Sequence, residues 1–168
     1  MLTTDDVFAD AIRHSRVVLG ESGVLDARAQ PPNAPPPVGI AMLGGNARPY
    51  LFKFPGLLRD LPVLEQAASG RGLATIRTER DGIVRRVPMV MLAQDNIMPS
   101  LAFEMLRVAT GSSTILIKSD AGGIRSVAVP GLEMPTDRNG QVWVHFALHD
   151  LARYISAVDV LEGRVAPD

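Results

Sequence analysis

Gly20-Glu21-Ser22-Gly23 follows an apolar run and offers a carboxylate, a hydroxyl and flexible backbone, the ingredients of a phosphate loop or a nucleophile elbow. Its spacing matches neither G-x-G-x-x-G, nor G-x-x-x-x-G-K-[ST], nor G-x-S-x-G, so a plain turn competes with either chemistry. Arg77, Arg80, Arg85 and Arg86 crowd around Glu79 and Asp81. A hairpin there could gather guanidiniums to bind an anion, or tie Asp81, Arg85 and Arg86 into a mutually satisfied structural ion network, which is the expected arrangement. Asp137-Arg138-Asn139-Gly140 carries two oxygen ligands in calcium-loop order. Its glycine comes too early and no bidentate glutamate follows at the required place, so an Asx turn explains it better. His145 and His149 are four apart, but they fall where a strand leaves into a loop rather than on one helix face, and no metal role is expected of them.

General acid–base catalysis needs two acids converging in a pocket, whereas Glu65, Glu79, Asp81, Glu104 and Glu133 are scattered along the chain. No catalytic residue and no cofactor is expected. Zero cysteines remove disulfides, thiolate metal sites and a cysteine nucleophile. Seventeen Lys+Arg against eighteen Asp+Glu give a formal charge of −1, so no net field draws the chain to nucleic acid. One Trp, two Tyr and five Phe supply few stacking platforms for single strands.

The elements that must position these groups suit 168 residues folded as a single domain, with 46% hydrophobic residues available for its core. Asp5 and Asp6 are expected to cap a helix with Phe8, Ala11, Ile12 and Ser15 on one face, and residues 17–20 to form a buried strand. Residues 21–48 read as an irregular Pro/Gly-rich loop within the domain; the uncharged stretch at 29–47 holds too many prolines and glycines for a membrane helix. A second helix is expected behind Asp60 and Pro62, stopped by Gly70 or Gly72. Residues 73–92 read as an antiparallel hairpin turning at Arg80-Asp81-Gly82. Leu101, Met105 and Val108 form one ridge of a third helix, with Pro99 in its first turn and Gly111 closing it. Residues 114–117 and 124–129 form a second hairpin, and residues 132–135 with 142–146 a third across Asn139-Gly140. Ser156 is expected to cap a last short turn ended by Gly163. The sum is an α/β fold: a layered sandwich with a mixed sheet, including antiparallel hairpins, and helices packed on its faces.

Asp81-Gly82-Ile83-Val84-Arg85-Arg86-Val87-Pro88-Met89, followed by Pro99-Ser100-Leu101-Ala102, resembles the D-G-x-x-R-R-x-P-L strand and P-S-L-A helix start of the CHASE domain of type two. The helix and strand of residues 6–20, Met134-Pro135-Thr136-Asp137 with Gly140, and Ser156 through Gly163 resemble three further motifs of that family, in order. The resemblance implies an extracytoplasmic sensory module of bacterial adenylate cyclases, histidine kinases and related receptors. It also implies that the family's first and last strands, the membrane segments and a cytoplasmic cyclase or kinase domain lie outside this chain.

On this reading the segment is non-catalytic, belongs to a periplasmic or extracellular location, and recognises a small molecule of unknown identity. Ligands of open α/β sheets sit beyond the carboxyl ends of strands, which places the expected binding residues at Gly20, Glu21, Ser22 and Gly23 beside the proline-rich loop. The alternatives are a homodimerisation module that couples receptor subunits and binds nothing small, and an uncharacterised α/β enzyme. If Arg86 is buried, Arg86→Ala should cost several kcal/mol.

Overall fold

Helix α1 (Thr4–Arg13) is capped by Thr3 rather than by the expected aspartates. The Thr3 hydroxyl accepts the Asp6 N–H at 3.2 Å and the Asp6 carboxylate accepts the Thr3 N–H at 2.8 Å, a reciprocal arrangement that satisfies two donors a helix start leaves open. Ala9 and Ile12 form its buried face, while Phe8, expected on that face, is exposed. The computed structural model describes residues 3–26 and 38–165 of the chain.

Strand β1 (Val18–Val24) continues past Gly20, and β2 (Gly39–Leu43) lies in the same stretch, so two parts of the expected 21–48 loop are sheet. The prolines from 31 to 37 fall outside the described residues. After a 3-10 turn at Arg48–Tyr50 come β3 (Lys53–Phe54), β4 (Gly56–Leu58) and helix α2 (Pro62–Ala67), whose cap position is Leu61, not Asp60. Gly70 and Gly72 do not end that helix; they belong to β5 (Gly70–Leu73).

The expected 73–92 hairpin does not form. Its turn is real, with the Gly82 N–H bonded to Glu79 O at 2.9 Å and the Glu79 N–H to Ile83 O at 3.0 Å. The limbs pair elsewhere: β5 runs parallel to β1, β6 (Arg86–Pro88) pairs with β12 (Gln141–Trp143), and β7 (Val90–Ala93) sits between β3 and β8 (Asn96–Pro99). Pro99 therefore ends a strand, and Ser100 caps helix α3 (Leu101–Ala109) through its hydroxyl and the Phe103 N–H. The hairpin of β9 (Thr114–Asp120) and β10 (Gly123–Val129) is as expected. The third hairpin is not, because β11 (Leu132–Pro135) turns back onto β10 and β12 goes to β6. A 3-10 turn at Leu151–Arg153 and helix α4 (Ala157–Leu161) complete the described chain. Ser156 stands at the α4 cap position but makes no side-chain cap bond.

The fold is α/β as expected, with its strands divided into sheets ordered β4-β1-β5, β11-β10-β9-β2, β12-β6 and β3-β7-β8. Parallel pairings (β1 with β5, β2 with β9, β3 with β7) mix with antiparallel hairpins. A parallel bridge from Leu73 to Ser100 links β5 to the start of α3. The largest core cluster includes Val90, Phe103, Ile115, Ile117, Ile124 and Val127, where α3 meets the β9–β10 hairpin and β7. A second, with Leu57, Leu73, Met91 and Met98, joins the sheets at the opposite side of β7. β7 thus contributes to both clusters through alternate residues, which explains why its sequence is apolar throughout.

Candidate functional site

The chain leaving the carboxyl end of β5 runs through residues 74–81 without strand structure and forms one wall of a cleft of about 590 Å³. Phe52 stands on another side of it, with Arg86 at the start of β6 and Asn139 and Gln141 from the turn into β12. That turn is built by Asp137: its Oδ1 accepts the N–H groups of Asn139 and Gln141, both at 2.9 Å, so the Asx-turn reading of Asp137-Arg138-Asn139-Gly140 holds. Gly140 has φ +75°, the left-handed backbone that a side chain disfavours. Asn139 is tethered in turn, its Nδ2 donating to Tyr50 O at 2.7 Å.

Every carboxylate in this region is engaged. Glu79 accepts from Arg86 Nε at 3.1 Å through Oε1 and from Arg85 Nη1 at 3.3 Å through Oε2. Asp81 accepts from Arg85 Nη1 at 3.0 Å, lies 2.8 Å from Arg85 Nη2 and also accepts the Ile83 N–H, which together hold its carboxyl below the usual range. Arg86 reaches across to Asp137 Oδ2 at 3.4 Å. Asp81, Arg85 and Arg86 thus form the expected network, extended by Glu79 and Asp137, but it is half-exposed rather than buried: the Arg85 and Arg86 side chains are 38% and 37% accessible. Arg77 and Arg80 are different. Arg77 lies over the Phe52 ring, 4.2 Å from its centroid, and neither guanidinium makes an ion pair or hydrogen bond among the described residues.

Gly20, Glu21, Ser22 and Gly23, expected on a loop, lie within β1. Glu21 is buried in an ion cluster instead. Arg59 grips Glu65 with Nε at 2.9 Å from Oε1 and Nη2 on Oε2, and Arg71 Nη1 stands 3.0 Å from Glu65 Oε2 and 3.2 Å from Glu21 Oε1. Burial is the main reason that the Glu21 carboxyl is pushed up to about 7, opposed by Arg71 and reinforced by Glu65. Asp60, nearby, is raised for the same leading reason. Glu21 Oε2 and Asp60 Oδ2 are buried without a hydrogen-bond partner among the described residues.

A second buried pair joins α3 to its surroundings. Arg107 donates Nε to Glu104 Oε2 at 2.8 Å and Nη2 to Glu104 Oε1 at 2.7 Å, while Nη1 bonds Ser112 O and Nη2 also reaches Ser69 O at 3.2 Å. His145 and His149 are exposed outside any helix or strand, and the His149 ring tilts against Tyr154 with centroids 5.1 Å apart. Among the described residues no group of three or more His, Cys, Asp and Glu is placed to hold a metal, and no helix is long and apolar enough to cross a membrane.

The sequence model of the CHASE2 domain matches residues 2–168. The chain belongs to the CHASE2 family. CHASE2 domains are extracytoplasmic sensory domains and are typically non-catalytic. No curated protein and no solved structure matches this chain. The motifs that carried the resemblance occupy defined places in this CHASE2 domain: Asp81 through Met89 spans the ion network and β6, Pro99-Ser100-Leu101-Ala102 is the strand-to-helix junction, and Asp137 with Gly140 is the Asx turn. Two of them touch, through Arg86 and Asp137.

Phe52, Gln141, Arg71, Glu65 and Arg107 were missed as members of these sites. Two of the omissions had a local signal. Glu104 and Arg107 are an i, i+3 acid–base pair on the apolar side of a helix, and Arg71 stands alone between two glycines in an otherwise uncharged run.

Proposed function

We propose that this CHASE2 domain is the ligand-sensing part of a bacterial transmembrane signalling protein, lying in the periplasm or outside the cell, with an output domain such as an adenylate cyclase or histidine kinase on the cytoplasmic side. The observation that carries the ligand-sensing part is the cleft beside β6. It combines a volume suited to a small molecule with polar groups that the fold itself does not use. A sensor requires only that the ligand favour one of two conformations, and a tenfold bias corresponds to about 1.4 kcal/mol of differential binding. One or two hydrogen bonds are enough. The cleft is framed by Arg86 of β6 and by the Asp137 turn, so a ligand there would act on the junction of two family motifs. Gly20, Glu21, Ser22 and Gly23 are less favoured as binding residues, since they are strand and Glu21 is committed to Arg71.

The reading is tested by screening the chain against a metabolite library by thermal shift, then repeating each hit on Gln141→Ala. Ligands that raise the melting temperature of the parent and not of the variant support the cleft; a screen with no stabilising compound sinks the ligand-sensing reading.

A second reading, homodimerisation, is favoured by β2. Among the described residues this strand pairs only with β9, ends its sheet, and exposes Met42 and Leu43. An open edge with apolar side chains is a template for a second strand. Light scattering of the parent and of Met42→Lys/Leu43→Lys separates the cases: a dimer that the double variant dissolves supports the edge, and an unchanged mass removes it.

A further inference from the structure

We infer that the cleft binds a small anion carrying carboxylate or phosphate groups, held by Arg77 and Arg80. This rests on the ligand-sensing reading and names the chemistry of that site. Four guanidiniums surround the cleft and its edge (Arg77, Arg80, Arg85, Arg86) against three carboxylates (Glu79, Asp81, Asp137), which leaves one positive charge in excess in a chain whose formal net charge is −1. The pairing is uneven. Arg85 and Arg86 occupy all three acids, so the excess is localised on Arg77 and Arg80 rather than shared around the network.

Arg77 is also pre-positioned. Its guanidinium lies over the Phe52 ring, which restrains a long side chain while leaving its N–H donors unsatisfied by any protein acceptor among the described residues. A planar fork with open donors matches two oxygens of a carboxylate or phosphate, and charge-assisted bonds of that kind are about twice as strong as neutral ones. The Thr78 hydroxyl and the Gln141 side chain, both lining the cleft, likewise make no hydrogen bond among the described residues and can serve the neutral part of the ligand. A cation is disfavoured by the same geometry, because every carboxylate it would need is already taken by arginine.

Isothermal titration of the 168-residue chain with inorganic phosphate and with citrate, in separate arms at low ionic strength, tests this. The expected result is saturable binding of at least one probe, weakened by added salt, weakened at least about tenfold by Arg77→Ala/Arg80→Ala, and unchanged by Arg125→Ala in β10, whose guanidinium pairs with Asp120 and does not line the cleft. Unchanged melting of the double variant checks its fold, and Arg77→Lys/Arg80→Lys, which keeps the charge, should recover part of the affinity. Binding that ignores Arg77 and Arg80, or equal loss in Arg125→Ala, overturns the assignment, and so does the absence of saturable binding by either probe. If both probes fail while a neutral compound from the thermal-shift screen binds in a Gln141-dependent way, the anion chemistry is wrong and the sensor reading survives.

Discussion

Glu21 and Arg71 meet across two parallel strands with an offset of two residues. Leu19 is opposite Arg71 and Glu21 is opposite Leu73, yet Arg71 Nη1 reaches forward along the strands to Glu21 Oε1 at 3.2 Å and lies 3.0 Å from Glu65 Oε2 of α2. Alternation along a strand puts residues 19 and 21 on one face, so the arginine can serve this acid and still tie the sheet to the helix. The arrangement places three carboxylates (Glu21, Asp60, Glu65) around the guanidiniums of Arg59 and Arg71, and two of these acids, Glu21 and Asp60, each keep a buried oxygen without a hydrogen-bond partner among the described residues.

Stability should therefore depend on pH in an unusual direction. A carboxyl whose pKa rises from 4.5 to about 7 on folding takes up a proton in the native state that the unfolded chain has released. Its stabilising effect is fully present below the unfolded value and is lost as pH rises through about 7. At roughly 1.4 kcal/mol per pH unit the loss is on the order of 3 kcal/mol. Denaturation curves of the parent should give a lower unfolding free energy at pH 8 than at pH 5, with Glu21→Gln nearly flat over that interval. A parallel decline in both proteins would show that another group is responsible.

The two arginine networks should respond very differently to truncation. Arg107 is buried with Glu104, and removing it leaves an uncompensated carboxylate, so Arg107→Ala should cost about 3–5 kcal/mol. The sequence makes Arg86 costly only if it is buried; because it is more than a third exposed, its pairs with Glu79 and Asp137 are screened, and Arg86→Ala should cost about 1 kcal/mol or less. Urea midpoints of the two variants decide the matter, and an Arg86 loss equal to that of Arg107 would contradict it.

What the sequence made legible follows the range of the contacts involved. Helix α3 and the β9–β10 hairpin are set by spacing within a few residues and by an adjacent turn, and both lie where they were expected. The 73–92 hairpin failed because Arg80-Asp81-Gly82 marks a turn without saying which strands it joins; β5 found its partner some fifty residues upstream in β1, as in the pairing of Leu73 with Glu21. The same gap hid the buried cluster. Glu21 sits between glycines that resemble a turn, and only the parallel pairing with β5 brings Arg71 to it. The network of Asp81, Arg85 and Arg86 was readable because its members are neighbours in the chain, whereas Phe52 and Gln141 reach the cleft from distant segments.

Asp137 holds a turn and a charge at once, and two substitutions separate these roles. Asp137→Ala removes the acceptor of the Asn139 and Gln141 N–H groups and should cost about 1–3 kcal/mol, while Asp137→Asn keeps an acceptor oxygen and loses only the exposed pairing to Arg86, at about 1 kcal/mol or less. Both are measured by thermal unfolding. Equal losses would mean that the charge, not the turn, is what the position supplies.

Gly72 tests how tightly β5 is packed on α3. A Cβ built there would come within 2.7 Å of Leu101 Cα and 2.9 Å of Leu101 N, and both are backbone atoms that cannot rotate aside. Relief requires the first turn of α3 to shift, which would disturb the Ser100 cap and the Leu73–Ser100 bridge together. Gly72→Ala should accordingly destabilise by about 1–3 kcal/mol, read from chemical denaturation. The matched control is Gly20→Ala, whose added carbon would meet Leu101 Cδ2 at 3.3 Å, the end of a side chain able to give way, and whose cost should be smaller. If the two variants unfold at the same denaturant concentration, the close approach of backbone to backbone at Gly72 is not what fixes this contact.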